Sequence, residues 1–419
     1  MKIPENEPIN LSNQLLSSLL GEIPHIQNFK GKWSIIRTKL ADLQTQLNDF
    51  TEFPGFSSNP LSLELVQSIS QTLSDAVSLS RKCRNPSLSE GKLRTQSDID
   101  SVLAKLDQHI KDGEILNRSG VLQDGVFAGS SGSTSSKREA VRVESRNLIT
   151  RLQIGSLESK NSAMDSLLGL LQEDDKNVLI AVAQGVVPVL LRLLDSSSVE
   201  MKEKTVSAIS RVSMVDSSKH VLVAEGLLLL NHLLRVLESG SWFAKEKACI
   251  ALQGLSFSKE NARAIGSRGG ISSLLEICLA GTPGSQAVAA GVLRNLAGFT
   301  EIKENFIEEN AISVLLGLLA SGTPLAQENA IGCLCNLVTG DDNLKLLIAR
   351  EGGIECLKNF WDGSPTARSL EVAIELLRSL ALCLPIAEVI VSDGFIARLV
   401  AALNSGVSGV RIACSRCCL

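Results

Sequence analysis

Apolar residues recur over residues 185–403 in two registers that share one period. The first register is a leucine-rich stripe that starts after a glycine or an asparagine, at Gly185, Gly226, Gly269, Asn310, Gly352 and Gly394. The second is an aliphatic position near the end of a longer run, at Val212, Leu255, Leu296, Leu337 and Leu380. Successive members of each register lie 41 to 43 residues apart. Two independent markers with one period predict an array of stacked units.

Each repeat predicts three helices. A short first helix, such as residues 342–351, ends at a glycine or an asparagine, which tolerate the left-handed backbone at a helix end. The second helix carries the leucine-rich stripe, and a polar turn leads into a longer, amphipathic third helix. In three units this turn pairs a hydroxyl side chain with proline, as Thr282-Pro283, Thr323-Pro324 and Ser364-Pro365. These pairs predict an N-cap followed by proline in the first helical turn.

The amino-terminal region has apolar residues at three- and four-residue spacing. It predicts four helices within residues 11–23, 33–50, 61–83 and 95–116, with "SDID" as a capping start. Four helices of this length predict an antiparallel bundle. A Gly/Ser-rich segment follows, which predicts a flexible linker and not a phosphate-binding loop, because no Gly-Lys-Ser closes it.

The fold class predicted from these patterns is all-α, with a helical bundle followed by an α-α superhelix. The predicted domains are a bundle at residues 1–118, a linker at 119–140 and repeats at 141–419. The repeats comprise a partial first unit and about six more, the last one incomplete. The end of the last repeat, "RIACSRCCL", resembles a two-cysteine lipidation signal. Ordinary repeat sequence precedes it, so an interior helix cut short is the favoured interpretation.

The amino-acid composition limits the classes of function that the chain could have. Aromatic residues make up 3% of the chain and the net charge is −4, so nothing indicates an aromatic-lined enzyme pocket or a nucleic-acid binder. The ten cysteines have no disulfide framework spacing, which predicts reduced thiols in the cytoplasm, with a nuclear location left open. The sequence has no run of 18 apolar residues, so no transmembrane segment is predicted.

Candidate chemistry is sparse. The four histidines, His25, His109, His220 and His232, have no partner at metal-ligand spacing, and no catalytic motif is present. We therefore expect no enzyme activity, no metal, no cofactor and no small-molecule substrate. The expected partners are proteins, bound as an extended peptide or a helical segment.

The ends of the third helices, "RNLA", "CNLV" and "RSLA", and the glycine-then-aliphatic starts of the second helices resemble the armadillo repeat family over residues 145–419. The resemblance implies a right-handed superhelix whose concave groove, lined by third helices, holds a partner peptide. It also implies a ladder of asparagines that pair with the partner's main chain. Asn295 and Asn336 match that ladder, whereas Arg211, Gly254 and Ser379 replace it in other units.

Polar residues that interrupt the apolar third helices are the candidate partner contacts: Arg294, Asn295, Asn336 and Arg378. The two arginines suggest some preference for acidic partner residues. For Asn295 and Asn336 a second interpretation stays open, namely hydrogen bonds between adjacent units. Import receptors of the family carry a tryptophan one turn before the asparagine, where this chain has Gly291 and Gly332, which argues against binding of a basic import signal.

The segment "GKLRTQSDIDSVLAKLDQHI" resembles the amino-terminal domain of plant U-box/armadillo proteins, but nothing resembles the "CPI" start of a U-box. The layout is similar to that of plant armadillo proteins that lack the U-box. We therefore expect a non-enzymatic interaction scaffold. One alternative is a non-catalytic component of a ubiquitin-ligase or kinase pathway, and a third possibility, less favoured, is a nuclear import receptor.

Overall fold

Every regular element of the part of the chain that the structure describes is helical. The structure is a computed structural model, and it describes residues 7–53, 56, 59–85, 91–123, 134–404 and 408–418. These ranges contain 24 α-helices and no strand, which confirms the all-α prediction. Contacts divide the chain into two compact units, residues 1–189 and 190–419.

The first unit begins with a four-helix bundle. Its helices are α1 (Glu7–Glu22), α2 (Lys30–Thr51), α3 (Pro60–Arg84) and α4 (Lys92–Ser119). Salt bridges join Lys32 to Asp100 and Lys39 to Asp107, so α2 and α4 run in the same direction. Thr72 on α3 contacts His109 on α4, and further along α3 Asp75 pairs with Lys105, so these two helices are antiparallel. Helices α2, α3 and α4 thus alternate in direction, as predicted.

The bundle core is aliphatic with a few large rings. Trp33 and Phe50 of α2 are fully buried beside leucine, isoleucine and valine side chains of all four helices. The predicted capping start "SDID" is wrong. Residues 97–100 lie inside α4, which begins at Lys92 after Gly91; in the added turn Thr95 is buried, and its Oγ1 donates to the main-chain O of Gly91 (3.0 Å).

Three further helices complete the first unit: α5 (Thr134–Ile154), α6 (Leu157–Glu173) and α7 (Asp175–Ala183). Helix α5 begins inside the predicted linker 119–140 and packs on α4, while residues 124–133 of that linker lie outside the described residues. Glu64 of α3 accepts a hydrogen bond from the main-chain N of Ser156, which caps α6. The division into three predicted domains stays a prediction.

The second unit is a stack of three-helix repeats. Helix α8 (Val186–Leu193) begins before it, and its other helices are α9 (Val199–Ser213), α10 (Asp216–Ala224), α11 (Gly226–Ser239), α12 (Trp242–Leu255), α13 (Lys259–Ser267), α14 (Gly270–Ala280), α15 (Pro283–Leu296), α16 (Lys303–Glu308), α17 (Ala311–Ser321), α18 (Pro324–Val338), α19 (Asp342–Arg350), α20 (Gly353–Asp362), α21 (Ala367–Ala381), α22 (Leu384–Ser392), α23 (Phe395–Leu403) and α24 (Ser408–Cys418). Third helices α9, α12, α15, α18, α21 and α24 pack on one another in sequence order, and second helices α11, α14, α17 and α20 do the same.

Hydroxyl N-caps start five of these third helices. Each side-chain oxygen accepts a hydrogen bond from the main-chain N–H three residues later; the caps are Ser198, Ser241, Thr282, Thr323 and Thr366. The predictions for Thr282 and Thr323 are confirmed. The prediction for Ser364-Pro365 is wrong, because Ser364 has a left-handed backbone (φ 57°) and Thr366 caps α21 instead. The last third helix, α24, has 11 residues where α21 has 15.

Candidate partner-binding surface

The third helices expose one continuous side, which we call the third-helix surface. On α12 the residues that are not buried recur every three to four positions, at Phe243, Glu246, Lys247, Ile250, Gln253 and Gly254. The equivalent positions of α9, α15, α18, α21 and α24 continue the surface from unit to unit. All four predicted contact residues lie on it, half-buried, with Arg294 and Asn295 on α15, Asn336 on α18 and Arg378 on α21.

Both predicted asparagines use their amide nitrogens inside the stack. Nδ2 of Asn295 donates to Oγ of Ser256 (2.9 Å) and to the main-chain O of Gln253 (3.4 Å). Nδ2 of Asn336 donates to the main-chain O of Arg294 (2.8 Å). The accepting carbonyls lie in the last turn of the preceding third helix, where main-chain donors run out; that of Gln253 also accepts from Oγ of Ser256 (3.1 Å). Among the described residues, no donor reaches Oδ1 of either asparagine, so each amide presents an acceptor.

Gly254 occupies the asparagine position in α12 for a steric reason. A Cβ atom added there would lie 2.9 Å from the main-chain O of Ser213, at the end of α9. The two third helices approach too closely at this point for a side chain. At the same position of α21, Ser379 turns back and donates to the main-chain O of Glu375 in its own helix (2.9 Å). The asparagine ladder is therefore limited to two units.

Arg294 lies across the next third helix and does not project freely. A Cβ atom added at Gly332 of α18 would lie 2.5 Å from Nε of Arg294, so the arginine occupies the space that this glycine leaves. Its Nη1 is 4.0 Å from Oε1 of Glu328, which also accepts a salt bridge from Nε of Arg368 (3.0 Å). Arg294 is thus a bridge between α15 and α18.

Arg378 is paired within its own helix. Its Nε lies 3.2 Å from Oε2 of Glu375, and the hydrogen bonds to this carboxylate raise the pKa of Arg378. Both arginines that suggested an acidic partner therefore already have carboxylate partners. The space beside Gly291 is occupied by Gln253, as that beside Gly332 is by Arg294, because an added Cβ would lie 2.4 Å from Nε2 of Gln253. No aromatic side chain would fit at either glycine without displacing these neighbours.

Sequence reasoning missed a row of glutamates at one helical position: Glu203, Glu246, Glu328 and Glu371. Each lies beside the first turn of the next third helix. Glu203 accepts from the N-cap Ser241, Glu328 pairs with Arg368, and Glu371 lies against Gly409 of α24. The positive end of each helix favours a carboxylate there. Their spacing of 43, 82 and 43 residues, which is the repeat period with one unit skipped, was the available signal.

Exposed aromatic side chains lie at both ends of α12, two in its first turn and one just after its last residue. Trp242 is 44% exposed, Phe243 52% and Phe257, just after the helix, 66%. Lysine ammonium groups lie over the first two rings, with Nζ of Lys245 5.0 Å from the Trp242 centroid and Nζ of Lys247 5.2 Å from that of Phe243. Aromatic side chains in such a position are the usual anchors of protein interfaces.

The surface shows no catalytic or metal-binding arrangement in the described ranges. No group of three His, Cys, Asp or Glu side chains there could hold a metal ion. Cys335 lies on the surface, but burial raises the pKa of its thiol to about 12, which leaves it protonated and a poor nucleophile. The nine described cysteines are free thiols. No single helix in the described part of the chain is long and apolar enough to cross a membrane.

An open depression of about 480 Å³ lies at the carboxy-terminal end of the surface, among α15, α18, α21 and α24. Its wall includes two of the predicted contacts, Arg294 and Asn336, together with Glu371, Val372 and Ile412. The structure thus brings part of the predicted set together in one place. Arg378 is held beside it through Glu375, which is also part of the wall.

Comparisons with known proteins agree with this geometry. A domain of unknown function (DUF7032) matches residues 10–121, and an armadillo/β-catenin-like repeat matches residues 174–214. The second match covers the residues of α7, α8 and α9. The chain therefore contains an armadillo repeat. No curated protein sequence matches it.

Solved structures extend the likeness. An engineered protein superposes with a TM-score of 0.60 over 96% of this chain and 98% of its own, at 18% identity. A designed armadillo repeat protein gives 0.51 at 20% identity, covering 56% of this chain and 98% of its own. Computationally designed armadillo repeat proteins for modular peptide recognition give 0.51 at 20%, covering 55% and 98%. Identities this low show the fold, which confirms the predicted armadillo solenoid.

Proposed function

We propose that this armadillo-repeat chain is a non-enzymatic scaffold that binds a segment of a partner protein along its third-helix surface. The observation that carries the proposal is the exposure of aromatic side chains at both ends of α12. The chain has only 14 aromatic residues, 11 Phe and 3 Trp, yet three of them are exposed at α12. Burying such side chains against a partner supplies much of the binding free energy of an interface.

The likeness to designed proteins made for peptide recognition supports the same function. The two predicted asparagines would contribute acceptors, because their Nδ2 atoms are already bonded within the stack. Their role in partner contact stays a prediction, as does that of Arg294 and Arg378. The free thiols support a reducing compartment, and we propose the cytoplasm, with the nucleus left open.

Two finer readings belong to this proposal. The first is that the chain is a plant protein with the helical bundle and without a U-box, and that it acts as a non-catalytic component of a ubiquitin-ligase or kinase pathway. A nuclear import receptor would need slots for a basic signal, and the space at Gly291 and Gly332 is filled by Gln253 and Arg294. We therefore favour a scaffold over an import receptor, with no nucleic acid or small molecule as ligand.

The test is partner capture followed by mass spectrometry, with wild type, a Phe243→Ala/Phe257→Ala variant and a Leu279→Ala control. Leu279 is 67% exposed at the end of a second helix, so it matches the phenylalanines in exposure and lies outside the surface. We expect the double variant to bind its partner roughly a hundredfold to a thousandfold more weakly, as for two interface anchors of about 2 kcal/mol each, with unchanged melting. Equal capture by the double variant and the control would contradict the proposal.

A further inference from the structure

We propose that the amino-terminal bundle binds anionic membrane surfaces through one of its ends, with Leu93 entering the lipid interface and basic side chains contacting the headgroups. This inference goes beyond the proposed function, because the surface lies on the bundle and not on the repeats. It comes from the distribution of charge and of apolar exposure over the bundle helices.

The start of α2, the end of α3 and the start of α4 lie at the same end of the bundle. The ion pairs between α2 and α4 join residues 68 positions apart, so Lys30 is level with Asp98. The contacts between the antiparallel helices α3 and α4 place Arg84, the last residue of α3, level with about residue 96. Helix α4 begins at Lys92, so at 1.5 Å per residue its first turn projects about 6 to 9 Å beyond the other two helices.

This end, which we call the basic end, has a large excess of positive charge over the described residues 22–39, 78–85 and 91–100. It contains three carboxylates, those of Glu22, Asp98 and Asp100. It contains nine lysine and arginine side chains, namely Lys30, Lys32, Arg37, Lys39, Arg81, Lys82, Arg84, Lys92 and Arg94. Helix α2 shows the asymmetry by itself, because its four basic residues lie in its first ten positions and its two acidic residues follow them.

Some of these cations have no ionic partner in the bundle. Among the described residues, no carboxylate oxygen lies within 4.0 Å of four exposed basic side chains, those of Lys30, Arg37, Arg81 and Lys92. Lys30 and Lys92 each open a helix, at the positive end of its dipole, where a cation is unfavourable. Neither helix has an acidic residue in its first turn to offset that charge. Local stabilisation therefore does not account for these two charges, whereas an external anionic surface does.

Leu93 supplies the apolar part of the basic end. Its side chain is 85% exposed, which is the largest value for a large hydrophobic side chain in the described ranges. It lies between Lys92 and Arg94 on the turn that projects beyond α2 and α3. A leucine in this place can enter the boundary between headgroups and acyl chains, while the long stems of its basic neighbours keep their charges among the headgroups.

A membrane surface fits the basic end better than another polyanion does. A nucleic acid or an acidic protein segment would pair with the charges and leave Leu93 in water. Sites for single-stranded nucleic acid also present aromatic side chains on which bases stack. The two large rings of the basic end, Phe29 and Trp33, pack into the bundle core instead. A projecting turn can also meet a flat surface without obstruction from the neighbouring helices.

The experiment measures co-sedimentation of the full chain with vesicles of phosphatidylcholine alone and of phosphatidylcholine with about one third phosphatidylserine, at low and high salt. One variant is Leu93→Ala, which removes the apolar contact. The other is Arg81→Gln/Lys92→Gln, which removes two exposed charges. All three side chains are exposed, so we expect both variants to melt like wild type.

Each variant has a matched control at the other end of the bundle. Leu11→Ala removes a leucine that is 49% exposed near the start of α1. Lys111→Gln/Arg118→Gln removes two exposed charges from the second half of α4.

We expect wild type to bind the anionic vesicles at least tenfold more tightly than the neutral ones, with a difference that shrinks at high salt. Leu93→Ala should weaken binding about tenfold, because less apolar surface enters the interface. Arg81→Gln/Lys92→Gln should weaken it roughly thirtyfold, at about fivefold for each basic residue near the membrane. Both controls should stay within about twofold of wild type.

Equal binding to neutral and anionic vesicles, no sedimentation at millimolar lipid, or an equal loss in a variant and its control would overturn the inference. So would tighter binding to a single-stranded polynucleotide than to the anionic vesicles. Phe243→Ala/Phe257→Ala should leave vesicle binding unchanged, so the proposed function and this inference can fail separately.

Discussion

The asparagines of the third helices hold neighbouring units together, and their removal should lower stability before it affects binding. The change is Asn295→Ala/Asn336→Ala. Each substitution removes a donor from the last turn of the preceding third helix, where Nδ2 of Asn336 lies 2.8 Å from the main-chain O of Arg294 and Nδ2 of Asn295 lies 2.9 Å from Oγ of Ser256.

The magnitude follows from what each bond contributes. A net hydrogen bond is worth about 1 kcal/mol, and the carbonyl of Arg294, which loses its side-chain donor, adds roughly 1 kcal/mol or more. Alanine is the better helix former and returns about 0.5 kcal/mol per site. We therefore expect the double variant to lose about 2–3 kcal/mol of unfolding free energy. The two sites are close in space, so the loss need not equal the sum of the single losses.

The assay is urea unfolding followed by circular dichroism at 222 nm, with hydrogen exchange read at the ends of α12 and α15. Exchange localises the effect, because a repeat array does not always unfold in one step. Ser379→Ala is the matched control, since Ser379 has the same helical position and bonds only within α21. If the double variant unfolds within about 0.5 kcal/mol of wild type, with unchanged exchange, the reasoning is refuted. Contact with a partner would then be the remaining explanation for the two asparagines.

Two further predictions concern packing and pH. Gly254→Ala should destabilise the stack by about 1–3 kcal/mol in urea unfolding, because the added Cβ would lie 2.9 Å from a main-chain oxygen of α9; wild-type stability would show that the helices can separate without cost. Burial, and then the charge of Lys105, lower the pKa of His109 in the bundle from 6.5 to about 4. The unfolded chain therefore binds a proton that the folded chain does not as pH falls through 6.5, so stability should drop by up to about 2–3 kcal/mol between pH 6.5 and pH 4. The difference between wild type and His109→Gln in this window isolates the effect, and parallel profiles would contradict it.

The sequence by itself determined the elements, their order and their period. Leucine stripes after a glycine or asparagine, and hydroxyl residues such as Thr282 and Thr323 before proline, depend on neighbours a few residues away. Local preferences of this kind survive in any context that buries the apolar side. The four bundle helices were predictable for the same reason. Two local predictions were wrong: Thr366 caps α21 in place of Ser364, and α4 begins at Lys92 and not at residue 97.

Only the tertiary structure decided what the polar residues of the third helices contact. Arg294 and Asn295 are neighbours in the sequence, yet the arginine reaches forward to Glu328 and the asparagine backward to Ser256. These contacts join residues about 35 to 40 positions apart, and they depend on how closely and at what angle successive third helices pack. A period fixes which residues share a surface. The distance between helices then decides which of those residues, like Asn295 and Asn336, make hydrogen bonds within the stack.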